Sequence, residues 1–195
     1  MTYADSGPTP LHLAALSGLS YDIIHRRLRE SNVLPLPNSP KKNRKYPVKE
    51  CRRILKETFA TKHPISKKVH VFYNFKGGVG KTSLSFQIAT HLSILGFDVL
   101  LLDTDPQANL TNCFGLRPNL NAPTLYDILI KNIPVEFSKI NIFKGLDFIQ
   151  SNISLTRLEI ELMHQTRKEE MIDANPNINQ INRNVINAAQ VINII

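Results

Sequence analysis

A glycine-rich loop places the strongest constraint on what this chain can fold into. Residues 76–82 read K-G-G-V-G-K-T. The apolar residues before them predict a buried strand over 69–75, and the residues after them repeat apolar side chains at helical spacing. These flanking positions are Val69, Val71, Phe72 and Tyr73, then Leu84, Ile88, Leu92 and Leu95. Strand, glycine loop and helix in this order are the setting of a phosphate-binding loop.

Such a loop binds phosphate because glycines let backbone N–H groups turn inward and the new helix directs its positive end toward them. Lys81 can reach β- and γ-phosphates, and the Thr82 hydroxyl can bind Mg²⁺. The alternative is a glycine-rich turn with two solvated lysines. The predicted nucleotide-binding residues are Lys76, Gly77, Gly78, Val79, Gly80, Lys81, Thr82 and Ser83.

A second apolar run, 98–102, leads into D-T-D-P-Q-A-N at residues 103–109. Asp103 and Asp105 are two residues apart at the predicted carboxyl end of this strand, so their carboxylates are expected to point the same way. Ligands of a parallel α/β sheet bind at that end. The alternative is a capped turn with two ordinary acids. Further along, residues 124–129 predict a helix, residues 145–151 a third strand and residues 155–171 a charged amphipathic helix.

The positive charge is concentrated in the N-terminal third. The net charge of the chain is +8, yet residues 1–68 hold 14 basic and 5 acidic side chains. The rest of the chain is therefore slightly negative. A basic segment joined to a near-neutral one suggests a polyanionic partner.

Residues 9–29 predict two short helices joined by a turn at Ser17-Gly18-Leu19, with Ser20 capping the second helix. The spacing is that of a helix-turn-helix, although an amphipathic hairpin with a solvated basic face is the alternative. Prolines exclude helix over 34–46, where a basic wing is predicted, and Pro47 begins another helix. The candidate DNA-binding residues are Tyr21, His25, Arg26, Arg29, Lys41, Lys42, Arg44 and Lys45.

The glycine loop has Phe75 where the common pattern G-x-x-x-x-G-K-S/T has its first glycine, and it has Lys76 before the glycine pair. In this form it resembles the deviant Walker A loop of the ParA/Soj/MinD group of ATPases. The segments D-T-D-P-Q-A-N and T-L-Y-D-I-L are similar to segments of partition ATPases, and the N-terminal pattern resembles the winged module of plasmid-type ParA/SopA proteins. The resemblance covers about residues 14–172.

The resemblance implies an ATPase that uses ATP and Mg²⁺. Its implied catalytic residues are Lys76, Lys81 and Asp105. Lys76 would reach the nucleotide of a partner subunit, Asp105 would orient the attacking water, and Thr82 and Asp103 would serve the metal, Asp103 through water. The family forms an ATP-dependent homodimer, binds operator and non-specific DNA, and is stimulated by a centromere-binding ParB-like protein. It implies a cytoplasmic, nucleoid-associated protein without a membrane anchor.

The expected fold is α/β, with an incomplete P-loop NTPase-like parallel sheet after a small winged helix-turn-helix module. The predicted boundaries are a DNA-binding module at 1–60, a linker at 61–68, the first part of an ATPase domain at 69–172 and a low-complexity Asn/Ile tail at 173–195. The three predicted strands are too few for such a sheet, and the tail is not expected to replace the missing half, because it lacks an aspartate at the end of an apolar strand, the Walker B site that the family would supply. The chain is therefore predicted to be a C-terminally truncated ParA-type protein with little or no ATP turnover.

Two other functions fit parts of the sequence. One is a catalytically inert DNA-binding regulator of a partition operon, in which only the basic module functions. The other is a MinD-like or cobyrinate-amidase-like enzyme, against which the D-T-D-P-Q-A-N segment and the basic N-terminal third argue.

Overall fold

A computed structural model describes residues 7–59, 68–74, 76–164 and 190–194. The helices are α1 (Pro10–Ser17), α2 (Tyr21–Glu30), α3 (Val48–Phe59), α4 (Lys81–Ile94), α5 (Asn109–Cys113), α6 (Leu125–Leu129), α7 (Val135–Ser138) and α8 (Thr156–His164). The strands are β1 (Lys68–Phe72), β2 (Val99–Asp103), β3 (Ile140–Phe143), β4 (Leu146–Ile149) and β5 (Gln190–Ile194). A 3₁₀ turn spans Ile153–Leu155. Within these ranges no helix is both long and apolar enough to cross a lipid bilayer.

The strands form one sheet in the order β1-β5-β2-β4-β3. The pairs β1–β5, β5–β2 and β2–β4 are parallel, and β3 runs antiparallel to β4. Every residue of β2 is buried, which explains why V-L-L-L-D is an unbroken apolar run until its last residue. The predicted α/β fold with a partial parallel sheet is confirmed.

The tail was interpreted wrongly. Residues 190–194 form β5, which pairs with both β1 and β2 in the middle of the sheet. Val191, Ile192 and Ile194 are β-branched residues, which suit a central strand. The antiparallel strand β3 was also not predicted. The sheet therefore has two strands more than the three expected, although β5 contains no carboxylate.

The N-terminal helices follow their sequence signals closely. Thr9 caps α1 by accepting a hydrogen bond from the His12 N–H at 3.2 Å, and Ser20 caps α2 through the Ile23 N–H at 3.3 Å. Gly18 takes the left-handed conformation, with φ of 65°, that the turn between them requires. The third helix begins directly after Pro47, as predicted.

The predicted wing takes a different form. Residues 34–46, all described, contain no strand. They form a loop in which the Leu36 N–H donates to the Lys45 carbonyl at 2.8 Å and the Asn43 N–H to that of Pro40 at 3.1 Å. The three prolines of this stretch lack N–H donors and prevent a regular ladder. The helix-turn-helix assignment stays a prediction.

One hydrophobic core joins the N-terminal helices to the sheet. Leu13, Ile24 and Leu55 belong to the same buried cluster as Ile94 and Phe148. The proposed boundary at 61–68 lies almost wholly outside the described residues. The N-terminal helices and the sheet therefore pack against each other through shared apolar side chains.

Arg52 of α3 connects these two parts through polar contacts. Its guanidinium is only 3% exposed and donates to the carbonyls of Ser93 at 2.5 Å and Phe97 at 2.6 Å, and to Asp98 Oδ1 at 2.5 Å. A Cβ added at Gly145, where φ is 97°, would lie 2.3 Å from the guanidinium. Glycine is therefore required there for both backbone conformation and space.

A histidine pair lies at the same junction and predicts a pH effect. The rings of His12 on α1 and His91 on α4 are 5.3 Å apart, and burial, followed by the charge of His12, lowers the pKa of His91 from 6.5. The unfolded chain therefore binds a proton at His91 more readily than the folded chain does. The free energy of unfolding is thus highest above about pH 6.5 and falls as the pH drops below that value. We expect the free energy of unfolding to decrease on acidification below about pH 6.5.

The test is chemical denaturation at a series of pH values. His91→Gln should flatten the dependence below about pH 6.5. Superimposable profiles for His91→Gln and wild type would contradict the assignment.

Candidate active site

The glycine loop leads from β1 into α4 as predicted. Gly78 and Gly80 have φ values of 73° and 87°, which side-chain-bearing residues rarely adopt. Gly80 is the N-cap of α4 and supplies no side-chain acceptor. The first N–H groups of the helix therefore stay available for a ligand, together with the positive end of the helix dipole.

The loop encloses one side of an open cavity of about 740 Å³. The other side comes from the segment after β2. The cavity is lined by Tyr73, Asn74, Gly77, Gly78, Val79, Gly80, Lys81, Thr82, Ser83, Thr104, Asp105, Pro106 and Asn109. Of the predicted nucleotide-binding residues, all except Lys76 contribute to this lining, and Asp105 faces them.

Lys81 is held across the mouth of the loop. Its Nζ donates to the Asn74 carbonyl at 2.8 Å and to the Lys76 carbonyl at 3.4 Å. Lys76 is exposed, and its N–H donates to Asn74 Oδ1 at 2.8 Å. The ammonium of Lys81 thus lies beside the cavity, while Lys76 is left outside it.

The two aspartates occupy different environments, and only Asp105 lines the cavity. Asp103 ends β2, is fully buried and does not line the cavity. Asp105 lies in the following turn and is half-buried at the cavity wall. The alternation of a strand stops at Asp103 because the chain turns there, so the i, i+2 rule does not extend to Asp105.

Asp103 fixes the segment after β2 through hydrogen bonds to its carboxylate. Its carboxylate accepts hydrogen bonds from the Thr111 N–H at 2.9 Å, the Thr111 hydroxyl at 2.7 Å and the Asp105 N–H at 3.2 Å. Burial raises the pKa of Asp103, and the hydrogen bonds from Thr111 oppose that shift. Asp105 in turn accepts from the Gln107 N–H at 2.9 Å and the Asn109 amide at 3.2 Å.

Sequence reasoning missed two residues that fix this turn. The Ser151 N–H donates to the Thr111 hydroxyl at 3.1 Å, and the Ser151 hydroxyl donates to the Asp105 carbonyl at 2.5 Å. Ser151 follows β4, which neighbours β2, so the end of one parallel strand braces the loop of the next. Ser151 is the last residue of the third predicted strand, and this position was the signal that could have identified it.

The candidate DNA-binding side chains lie away from this cavity. Tyr21, Arg26, Arg29, Lys41, Lys42 and Arg44 are exposed, and His25 and Lys45 are half-buried. The rings of Tyr21 and His25 are 4.9 Å apart, and Arg26 forms a 4.0 Å ion pair with Glu30. All eight are far enough from the core to remain accessible.

Comparison with known proteins establishes the family. A family model described as an AAA domain matches residues 67–194. The chain belongs to this family. The match begins just before β1 and reaches the end of β5, so it includes the glycine loop, both aspartates and the strand formed by the tail.

Several relatives are partition or cell-division proteins, which confirms the resemblance to ParA-type ATPases. The cell division protein PomZ of Myxococcus xanthus is 38% identical over 100 residues, covering 51% of this chain and 31% of PomZ. The chromosome partitioning protein ParA of Caulobacter vibrioides is 31% identical over 144 residues, covering 64% and 54%. The sporulation initiation inhibitor protein Soj of Bacillus subtilis is 37% identical over 103 residues, covering 52% and 41%. These matches span roughly a third to a half of each relative.

Solved structures show the same fold. Cobyrinic acid a,c-diamide synthase from Mycobacterium smegmatis, with bound ADP and magnesium, matches with a TM-score of 0.55 and 25% identity over 66% of this chain and 50% of that one. A plasmid partition protein from Borrelia burgdorferi bound to AMPPNP matches with a TM-score of 0.54 and 25% identity over 66% and 52%.

Proposed function

We propose that this chain is a ParA-type partition ATPase that binds ATP with Mg²⁺ in the cavity beside the glycine loop. One observation carries the proposal: the Lys81 ammonium, the start of α4 and Asp105 all border the same cavity of about 740 Å³. Cationic and N–H donors on one side suit phosphates, and a carboxylate on the other side suits a water or a hydrated metal.

The lining residues fit such a ligand. The hydroxyl of Thr104 is buried at the cavity and has no hydrogen-bond partner among the described residues, so a ligand or its hydration water can satisfy it. Bound Mg²⁺ would neutralise charge developing on the phosphates, and Thr82 is the residue placed to hold it.

Each residue then has a defined task. The backbone of Gly77 to Gly80 encloses the phosphates, and Lys81 neutralises their charge. Asp105 orients a water through a carboxylate held by Gln107 and Asn109. Lys76, which lies outside the cavity, is free to reach the nucleotide of a second subunit.

We assign Asp103 a positioning role in place of water-mediated metal binding. Its carboxylate is buried and accepts hydrogen bonds from Thr111 and from the Asp105 N–H. The carboxylate is fully buried and does not line the cavity in which the metal would bind. Asp103 instead fixes the backbone from which Asp105 reaches the cavity.

ATP turnover tests the catalytic half of the proposal. The described strand β5, which lies beside β1, contains no carboxylate, so we take Asp105 as the carboxylate to test. Asp105→Asn keeps the shape of the side chain and removes its charge. The variant should hydrolyse ATP about 100-fold more slowly than the wild type, the scale of one positioned acid–base group.

The matched control is Asp147→Asn, because Asp147 lies on β4 and pairs with Lys139 at 3.5 Å, away from the cavity. Equal rates for Asp105→Asn and wild type would show that Asp105 does not orient the attacking water.

The remaining parts of the proposal follow from the family. The basic N-terminal helices bind DNA, ATP promotes a homodimer, and a ParB-like protein stimulates hydrolysis in a cytoplasmic, nucleoid-associated setting. The exposed side chains of α2, including Arg26 and Arg29, support the DNA contact.

A further inference from the structure

The outer face of α3 carries basic residues that the proposed DNA-binding set does not include. Lys49, Arg53 and Lys56 follow one another at i, i+4 and i+7, so they share one face of the helix. All three are exposed, whereas Cys51 and Leu55 are buried in the core. At 1.5 Å of rise per residue, this row is roughly 10 Å long.

A cavity of about 330 Å³ lies between this face and the turn that joins β3 to β4. It is lined by Lys49, Glu50, Arg52, Arg53, Lys56, Glu57 and Lys144. Five basic side chains therefore face two glutamates. Lys144 comes from the α/β part of the chain, so both parts contribute to this positive charge.

Several of these charges have no counter-ion among the residues that the structure describes. Arg52 is matched by Asp98, and Arg53 pairs with Glu50 at 3.0 Å. Within the described part of the chain, Lys49, Lys56 and Lys144 have no carboxylate at ion-pair distance. Like charges gathered at one surface repel one another, and a bound anion relieves that repulsion.

A second cavity lies next to the first, on the side of α2. It has a volume of about 360 Å³ and is lined by Arg27, Glu30, Ser31, Arg53, Ile54, Glu57 and Thr58. Arg53 and Glu57 line both cavities. We call the surface formed by these two adjacent cavities, from the end of α2 across α3 to Lys144, the α3 groove.

We propose that the α3 groove binds the sugar-phosphate backbone of duplex DNA. The DNA contact would then extend from the N-terminal helices to the α/β domain. This inference rests on the proposed DNA-binding function and adds a surface to it. Three lysines that have no carboxylate partner among the described residues, two on α3 and one in the β3–β4 turn, suit a polymer of regularly spaced phosphates better than one small anion. The shared core and the Arg52 contacts hold the two sides of the groove in fixed register.

The test is the salt dependence of duplex DNA binding by the full chain, followed by fluorescence anisotropy. Each phosphate contact contributes about 0.9 to the slope of log K against log salt concentration, so Lys56→Ala/Lys144→Ala should reduce the slope by nearly two units. The control, Arg117→Ala/Arg157→Ala, removes the same charge from exposed sites outside the groove and should keep the wild-type slope. Circular dichroism confirms that both variants fold.

The outcomes separate this inference from the function on which it rests. A slope that falls in the groove variant and not in the control supports the groove. If the wild type binds DNA but the groove variant keeps the wild-type slope, the proposed role of the groove is wrong while DNA binding stands. The same holds if the slope falls equally in the groove variant and in the control. If Arg26→Ala/Arg29→Ala alone lowers the slope, contacts are confined to α2 and the groove is again overturned. If the wild type itself fails to bind at low salt, the DNA-binding function fails with it.

Discussion

Arg52→Ala is expected to lower the free energy of unfolding by about 3 kcal/mol, because it removes a buried cation from three hydrogen bonds. Two of its acceptors, the carbonyls of Ser93 and Phe97, lie where α4 leads into β2. Burial lowers the pKa of Arg52 and the nearby Asp98 raises it, yet an arginine stays charged at neutral pH. The truncation leaves both carbonyls without this donor and a void beside Gly145. Urea denaturation followed by circular dichroism measures the loss.

The neighbouring Arg53 provides a matched control on the same helix. It is exposed and its ion pair with Glu50 is a surface pair, so Arg53→Ala should cost at most about 1 kcal/mol. Arg52→Lys keeps the charge but cannot reproduce the fork of donors, so it should fall between the two. Equal destabilisation by Arg52→Ala and Arg53→Ala would show that Arg52 does not connect the two parts of the fold.

Lys81→Ala should weaken the binding of an ATP analogue by roughly 10- to 100-fold, the scale of one lost hydrogen bond to a charged group. Lys81 is the lysine whose Nζ lies at the loop, bound to the Asn74 carbonyl. Its hydrogen bonds to the loop hold it in place before a ligand arrives, so little ordering of the side chain is needed on binding. Titration with a fluorescent ATP analogue gives the two dissociation constants.

Lys144→Ala is the control for this measurement, since Lys144 is an exposed lysine of the β3–β4 turn that does not line the nucleotide cavity. It should bind the analogue as the wild type does. Equal affinities for Lys81→Ala and wild type would remove Lys81 from the phosphate site.

The glycine loop and the first helices were predictable because local chemistry determines them. Gly78 and Gly80 adopt backbone conformations that other residues disfavour, and Thr9 and Ser20 cap helices through contacts only three residues away. Such signals are contained within a few residues of sequence. The position of Asp105 beside the loop also followed, because parallel strands bring their carboxyl ends to one edge.

The errors arose where distant parts of the chain decide the structure. Residues 190–194 form β5 by pairing with β1 and β2, which lie far away in the sequence. Local composition does not reveal such a pairing. The burial of Arg52 depends on carbonyls more than 40 residues away. Asp103 and Asp105 were separated by the point at which β2 ends, and strand boundaries are poorly fixed by sequence.

The central claim is that the cavity at the glycine loop recognises the phosphates of ATP with Mg²⁺. Isothermal titration of the full chain with a non-hydrolysable ATP analogue, ADP and AMP, each with and without Mg²⁺, tests it most directly. In the proposed site the loop and Lys81 would bind the distal phosphates, so we predict binding of the ATP analogue and ADP, tighter with Mg²⁺ for the analogue, and at least about 10-fold weaker binding of AMP. Equal affinity for all three nucleotides, or no heat from the ATP analogue, would contradict the claim.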